Sequence, residues 1–218
     1  MARPITATAF AIDEIRRMIV ERELPPGTEL DQSRLAQKLD ISRLPVRQAL
    51  THLAGQKFVQ LRDHRSAIVA PISERDMRDL YALRQQLECW GYQPDITNIT
   101  AEKLSKLDEI NLRAQVIAEV EDHDAFMIVN REFHFCLYSI VKNSYVVDSL
   151  RDLFDLSERY QWMCTGAPGV MAASVSEHKN LTELIRQNDC AGFLKLSEAH
   201  NSKTTEWVIK HRRIDELR

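Results

Sequence analysis

Apolar residues recur at helical spacing along almost the whole chain, and only one stretch, residues 58–70, departs from that rhythm. The pattern limits the fold to helices packed on helices, with at most one small sheet. In the first third, Phe10, Ile15, Met18 and Ile19 mark one face of a helix that stops before Leu24, Pro25, Pro26 and Gly27. Asp31 is placed to cap a short second helix whose Leu35, Ala36 and Leu39 face inward. After a tight turn at Asp40 and Ile41, Ser42 opens a third helix. Pro45 is tolerated in its first turn because the N–H groups there lack intrahelical partners anyway. Val46, Leu50 and Leu53 form the buried stripe of this helix. Two short β runs follow, 58–62 and 67–70, joined by Asp63, His64, Arg65 and Ser66. Three helices and a two-stranded wing predict a winged helix-turn-helix over residues 1–71.

From Ser73 onward the pattern is helical throughout. Ser73 and Asp76 read as a capping box, and Leu80, Leu83, Leu87 and Trp90 line one side of the helix that follows. Thr100 caps the next, with Leu104, Leu107, Ala114 and Ile117 inward. Phe126, Val129, Phe133 and Leu137 belong to a third over 122–141, and further helices are expected over 145–165, 174–187 and 189–210. About six antiparallel helices joined by short loops make a bundle over residues 72–218, so the fold class is mainly α.

The formal net charge is −3, but residues 1–70 hold 11 Lys and Arg against 8 Asp and Glu, leaving the rest acidic. A basic head on an acidic body is what a chain needs if only its N-terminal part meets a polyanion. No apolar run approaches the ~20 residues of a membrane span, and Met1–Phe10 lacks the regions of a secretory signal, so a cytoplasmic protein with no membrane partner is expected. Cys89, Cys136, Cys164 and Cys190 form no CxxC pair and read as small core residues.

The third helix carries the chemistry that a major groove requires. Arg43 and Arg47, four apart, project from one face near its start, and arginine reads guanine or clamps phosphate with a bidentate fork. Ser42 stands at a helix N-terminus, where N–H groups and dipole favour phosphate. His64 and Arg65 in the wing turn are within reach of an adjacent groove. In the C-terminal part, Asn130 and His134 lie one helical turn apart, His178 shares a face with Leu181 and Ile185, and His200 is in line with Phe193 and Ser197. Three histidines on apolar faces of three helices can converge on one divalent ion, with the amide oxygen of Asn130 as a fourth ligand; alternatively each is a hydrogen-bonded core residue.

The segment LPPGTELDQSRLAQKLDISRLPVRQALTHL, residues 24–53, resembles the GntR family of bacterial regulators, and SRLPVRQAL is its most characteristic part. The resemblance implies operator contacts by Ser33, Arg34, Ser42, Arg43, Pro45 and Arg47, with His64 and Arg65 assisting. Lys57 and Ser66 stand where that family has glycine, which predicts strain if either backbone needs positive φ. Further on, LYALRQQLE (80–88 within its run), NREFH (130–134), EHKNLTELIRQND (177–189) and His200 are similar to the FadR subfamily, whose effector domain is called FCD. That likeness implies Asn130, His134, His178 and His200 as ligands to zinc, nickel or manganese. Asn in place of the commoner Asp removes one negative charge from the site, which weakens metal affinity and favours an anionic effector. Arg84 is expected at the effector pocket, where its fork suits a carboxylate; the competing reading is a surface Arg84–Glu88 pair.

The expected function is a homodimeric, ligand-responsive regulator on a near-palindromic operator, a repressor released by a small organic acid at a metal site. The alternative is a metal-dependent enzyme on a helical bundle with an appended winged-helix module. Against it, no carboxylate is suitably placed as general base, no HExxH is present, and Glu132 and Glu198 precede their histidines by two residues, the wrong spacing for a Glu-x-x-His di-iron pair.

Overall fold

The computed structural model describes residues 6–62 and 67–211. These fall into two compact units, one within Met1–Glu74 and the other within Arg75–Arg212. The fold class is mainly α, with helices α1 to α9 and a single two-stranded sheet among the described residues.

The first unit contains α1 (Ala7–Val20), α2 (Gln32–Lys38) and α3 (Arg43–Gly55), then β1 (Val59–Leu61) and β2 (Ala67–Val69). The Thr6 and Asp31 side chains cap α1 and α2, accepting from the N–H groups of Ala9 and Arg34. Ala11, Ile15, Met18 and Ile19 form the buried face of α1, and Val46, Leu50 and Leu53 that of α3. Phe10 does not belong to that face: it is 41% exposed, because Ala11 takes the inward phase one turn before Ile15. Leu39, also expected inside, is only half-buried. β1 and β2 pair antiparallel in the register Val59 to Val69, Gln60 to Ile68 and Leu61 to Ala67. The chain after Gly27 adds an edge to this wing: Leu30 N–H donates to Ala67 C=O at 2.8 Å and Val69 N–H to Thr28 C=O at 2.9 Å.

Lys57 sits at φ +63°, the left-handed conformation its position suggested. It closes α3 in a Schellman motif, with Phe58 N–H on Leu53 C=O at 2.9 Å and Lys57 N–H on Ala54 C=O at 3.0 Å. A lysine there bears the steric cost that glycine escapes.

The second unit holds α4 (Glu74–Tyr92), α5 (Ala101–Glu119), α6 (His123–Tyr138), α7 (Ser144–Thr165), α8 (Val170–Arg186) and α9 (Cys190–His211), with a 3-10 turn at Ile96–Asn98. Thr100, Asp122 and Asn143 cap α5, α6 and α7 through their side chains. The start of α8 lies earlier than 174, because Gly169 at φ +76° turns the chain directly into it. Leu107, Ile110, Phe126, Phe133, Phe154 and Phe193 build the core. The inward face of α4 differs from the apolar stripe in its sequence. Leu83 and Trp90 are 51% and 60% exposed, while Met77, Tyr81, Arg84, Glu88 and Gly91 are buried. Two causes set this phase. Gly91 lets Val141 and Val146 approach to 3.1–3.3 Å of where a Cβ would stand, and Arg84 and Glu88 enter the core as a mutually satisfied pair. Among the described residues no helix is long and apolar enough to cross a membrane, and all four cysteines are free, only Cys164 being buried.

Replacing Lys57 by glycine is expected to leave stability unchanged or raise it by up to about 1 kcal/mol, the left-handed penalty relieved less the entropy glycine loses. Thermal unfolding checks this; a clear loss of stability in Lys57→Gly contradicts the strain.

Candidate DNA-binding surface and metal centre

In the first unit, Ser42 occupies the N-cap position of α3, but its hydroxyl makes no bond back to the helix. The first-turn N–H groups therefore stay without a side-chain cap, an arrangement that suits a phosphate oxygen. Arg43 and Arg47 are exposed on the same helix, and Pro45 is half-buried in its first turn. Ser33 and Arg34 are exposed at the start of α2. The carboxyl of Asp31 is held below the ordinary carboxylate range, first by the N–H of Arg34 and then by Ser33 N–H and the charges of Arg34 and Arg43. Arg34 and Arg43 thus contribute to one local positive field. His64 and Arg65, with Ser66, lie outside the described residues.

In the second unit, α6, α8 and α9 bring His134, His178 and His200 together, with ligand nitrogens all within 4.8 Å of one another. His178 Nε2 and His200 Nε2 are 3.4 Å apart. Two imidazole nitrogens bound tetrahedrally at zinc–nitrogen lengths stand roughly 3.3–3.4 Å apart, so this spacing fits a metal edge. His178 stacks on Phe133 with ring centroids 3.9 Å apart, and its Nδ1 is buried without a partner. Burial, and then the charge of Arg84, push His134 well below the ordinary imidazole range. Burial and His200 do the same to His178. His200 is pushed down to about 4 by burial and Arg84, against the opposing charge of Glu88. Three neutral imidazoles are what a divalent ion requires.

Asn130 lines the same cavity as His134 and His200. Its Nδ2 donates to Gln161 Oε1 at 3.2 Å, which orients the amide and reserves Oδ1 for other use. The cavity holds about 330 Å³, at the small end of metabolite pockets. Arg84 forms part of its wall, but neither as a lone fork nor as half of a surface pair. It is 1% exposed and Glu88 is 2% exposed. Its Nε donates to Glu88 at 2.9 Å, Nη1 to Ser157 at 3.0 Å and Nη2 to Asn201 at 2.7 Å. Glu88 also accepts from Tyr138, Ser197 and Asn201.

Comparison with known proteins agrees with both halves. Residues 7–69 match the family described as bacterial regulatory proteins, gntR family, and residues 79–203 match the FCD domain. The chain belongs to the FCD-domain branch of the GntR family. This GntR regulator is 26% identical over 207 residues to the HTH-type transcriptional repressor RspR of Escherichia coli, covering 94% of this chain and 90% of that one. It is 31% identical to the gluconate operon transcriptional repressor of Bacillus subtilis, over 61% of this chain and 54% of that protein. Among solved structures, E. coli McbR/YncC shares the fold with a TM-score of 0.83 at 19% identity, covering 94% of this chain and 98% of that one. A GntR regulator from a Rhodococcus species does so at 0.79 and 19% identity, covering 94% and 99%. These are transcription regulators, and the metal-enzyme alternative gives way to them.

Sequence reasoning missed one carboxylate at the centre of this GntR protein. Glu177 Oε2 lies 2.6 Å from His200 Nδ1, and Glu177 also pairs with Lys203. Its place next to His178 in sequence hid a contact made across α8 and α9. The carboxylate fixes the proton of His200 on Nδ1 and leaves Nε2 as the donor atom, a common support for a ligating histidine.

The depressed imidazoles set a pH dependence. Below the ordinary imidazole value of 6.5 the unfolded chain takes up protons that the folded chain refuses, down to about 4 for His200, and burial holds His134 and His178 well below the ordinary value as well. Stability of metal-free protein is therefore expected to fall as pH drops from about 6.5 to about 5, each histidine contributing up to about 1.4 kcal/mol per pH unit. Thermal midpoints across that range check it; a flat profile contradicts neutral burial of the three rings.

Proposed function

We propose that this GntR-family regulator is a repressor whose operator affinity is controlled by a small organic acid bound at a metal site. The single observation that carries the reading is the convergence of His134, His178 and His200, two buried imidazoles and one half-buried, with ligand nitrogens within 4.8 Å of one another, where His134 and His200 share a cavity wall with Asn130 and Arg84. A divalent ion of the zinc, nickel or manganese type fits this donor set, held by the three imidazoles and the Asn130 amide oxygen. It would supply a positive charge that four neutral ligands leave uncompensated, and so attract a carboxylate. Arg84 adds a cation at the wall, its own charge balanced by Glu88. Glu177 orients His200.

On the DNA side, the exposed Arg43 and Arg47, the uncapped start of α3 and the neighbouring Ser33 and Arg34 support base and phosphate contacts in a major groove. Pro45 stiffens the first turn that presents them. A homodimer would set two such helices about 34 Å apart on a near-palindromic site. By linkage, an acid that lowers operator affinity must itself bind the DNA-bound form less tightly. The repressor assignment is supported by the names of relatives such as RspR.

Two variants separate the halves. Arg47→Ala is expected to weaken binding to DNA fragments enriched by the wild-type protein by roughly ten- to a hundredfold, with metal content unchanged. His134→Gln is expected to lose bound zinc while remaining folded and able to bind those fragments. Fluorescence anisotropy and metal analysis read both; normal DNA affinity in the first variant, or full zinc occupancy in the second, removes that residue from its role.

A further inference from the structure

The cavity contains a polar group that neither the metal reading nor the buried ion pair uses. Tyr81 lies on α4 one turn before Arg84, is 5% exposed and lines the cavity. Its hydroxyl is buried with no hydrogen-bond partner. The neighbouring phenols behave differently: Tyr138 donates to Glu88 and Tyr160 to Asp76, each at 2.8 Å. Ser157 and Thr204 stand near Tyr81, but Ser157 is committed to Phe154 C=O at 2.7 Å and to Arg84, and neither reaches bonding geometry with the phenol. The Tyr81 ring itself is well held, edge-on to Tyr160 at 6.5 Å and with the Arg84 guanidinium 5.5 Å from its centroid. A fixed ring with an unmatched buried hydroxyl is a group awaiting a partner, since leaving one unpaired is unfavourable. Thr165 on α7, Ser174 on α8 and Thr204 on α9 add further hydroxyls to the same lining. Hydroxyls both donate and accept, and so match ligand hydroxyls better than they match a second carboxylate, which only accepts.

We infer that Tyr81 is a specificity-determining residue, and that the effector is a hydroxylated carboxylic acid whose hydroxyl pairs with the Tyr81 phenol. The inference rests on the acid-effector reading above and deepens it.

The test uses zinc-loaded full-length protein titrated calorimetrically with three six-carbon acids: gluconate, hexanoate and adipate. Gluconate is expected to bind about tenfold or more tighter than hexanoate. Tyr81→Phe is expected to weaken gluconate by roughly three- to tenfold while leaving hexanoate affinity and zinc stoichiometry unchanged. Adipate as the tightest ligand, equal losses for gluconate and hexanoate in Tyr81→Phe, or no binding of any of the three with zinc in place would each overturn the inference. Failure of the wild type to take up zinc defeats the metal reading instead. The ligand-free protein then decides the role of Tyr81. Its thermal midpoint rises by roughly 1–3 °C in Tyr81→Phe if the hydroxyl is unmatched, and a fall shows the hydroxyl to be a structural partner and overturns the inference.

Discussion

The buried pairing of Arg84 with Glu88 governs the helical unit. Two charges taken this far from water cost several kcal/mol unless every lone pair and proton finds a partner. Glu88 receives Arg84, Tyr138, Ser197 and Asn201, and Arg84 reaches Ser157 and Asn201 as well. One pair on α4 therefore ties together α6, α7 and α9. It also sets the rotation of α4, turning Leu83 and Trp90 outward and carrying Tyr81 and Arg84 to the cavity wall. Removing one partner would leave the other charged and dry, so the network is a condition for the cavity as well as its neighbour.

The cavity's chemistry follows from that placement. Arg84 is a permanent cation close to His134 and His200, and together with burial it keeps the rings unprotonated. Glu177 draws the remaining proton of His200 to the far nitrogen. Positive field and low dielectric thus make the histidines poor bases for protons without removing their lone pairs. Asn130 rather than aspartate makes the donor set neutral, so a bound divalent ion would keep its full charge for an anionic ligand. Metal charge would attract the acid, and the hydroxyl-bearing wall would then select among acids.

Much of this was legible in the sequence, because it depends on local rules. Helix caps at Asp31 and Thr100 need only one side chain and the N–H group three residues on. The phase of Asn130, His134, His178 and His200 follows from 3.6 residues per turn, and the family motifs identified both units. What escaped depends on contacts between segments. The apolar stripe of α4 pointed to Leu83 and Trp90, but Gly91 packing on Val141 and Val146, with the Arg84–Glu88 pair, decided the rotation. Glu177 reads as solvated until α9 crosses it. Phe10 and Ala11 differ by one residue of helical phase, which periodicity alone resolves poorly. The edge that residues 27–30 add to the wing was hidden behind a proline turn.

The most direct test of the account is X-ray absorption at the zinc edge of purified, zinc-loaded protein. Three imidazole nitrogens at about 2.0–2.1 Å, completed by oxygen from Asn130, water or a carboxylate, is the predicted shell. A shell containing sulfur at about 2.3 Å, or one with no imidazole scattering, would contradict a metal centre built on His134, His178 and His200.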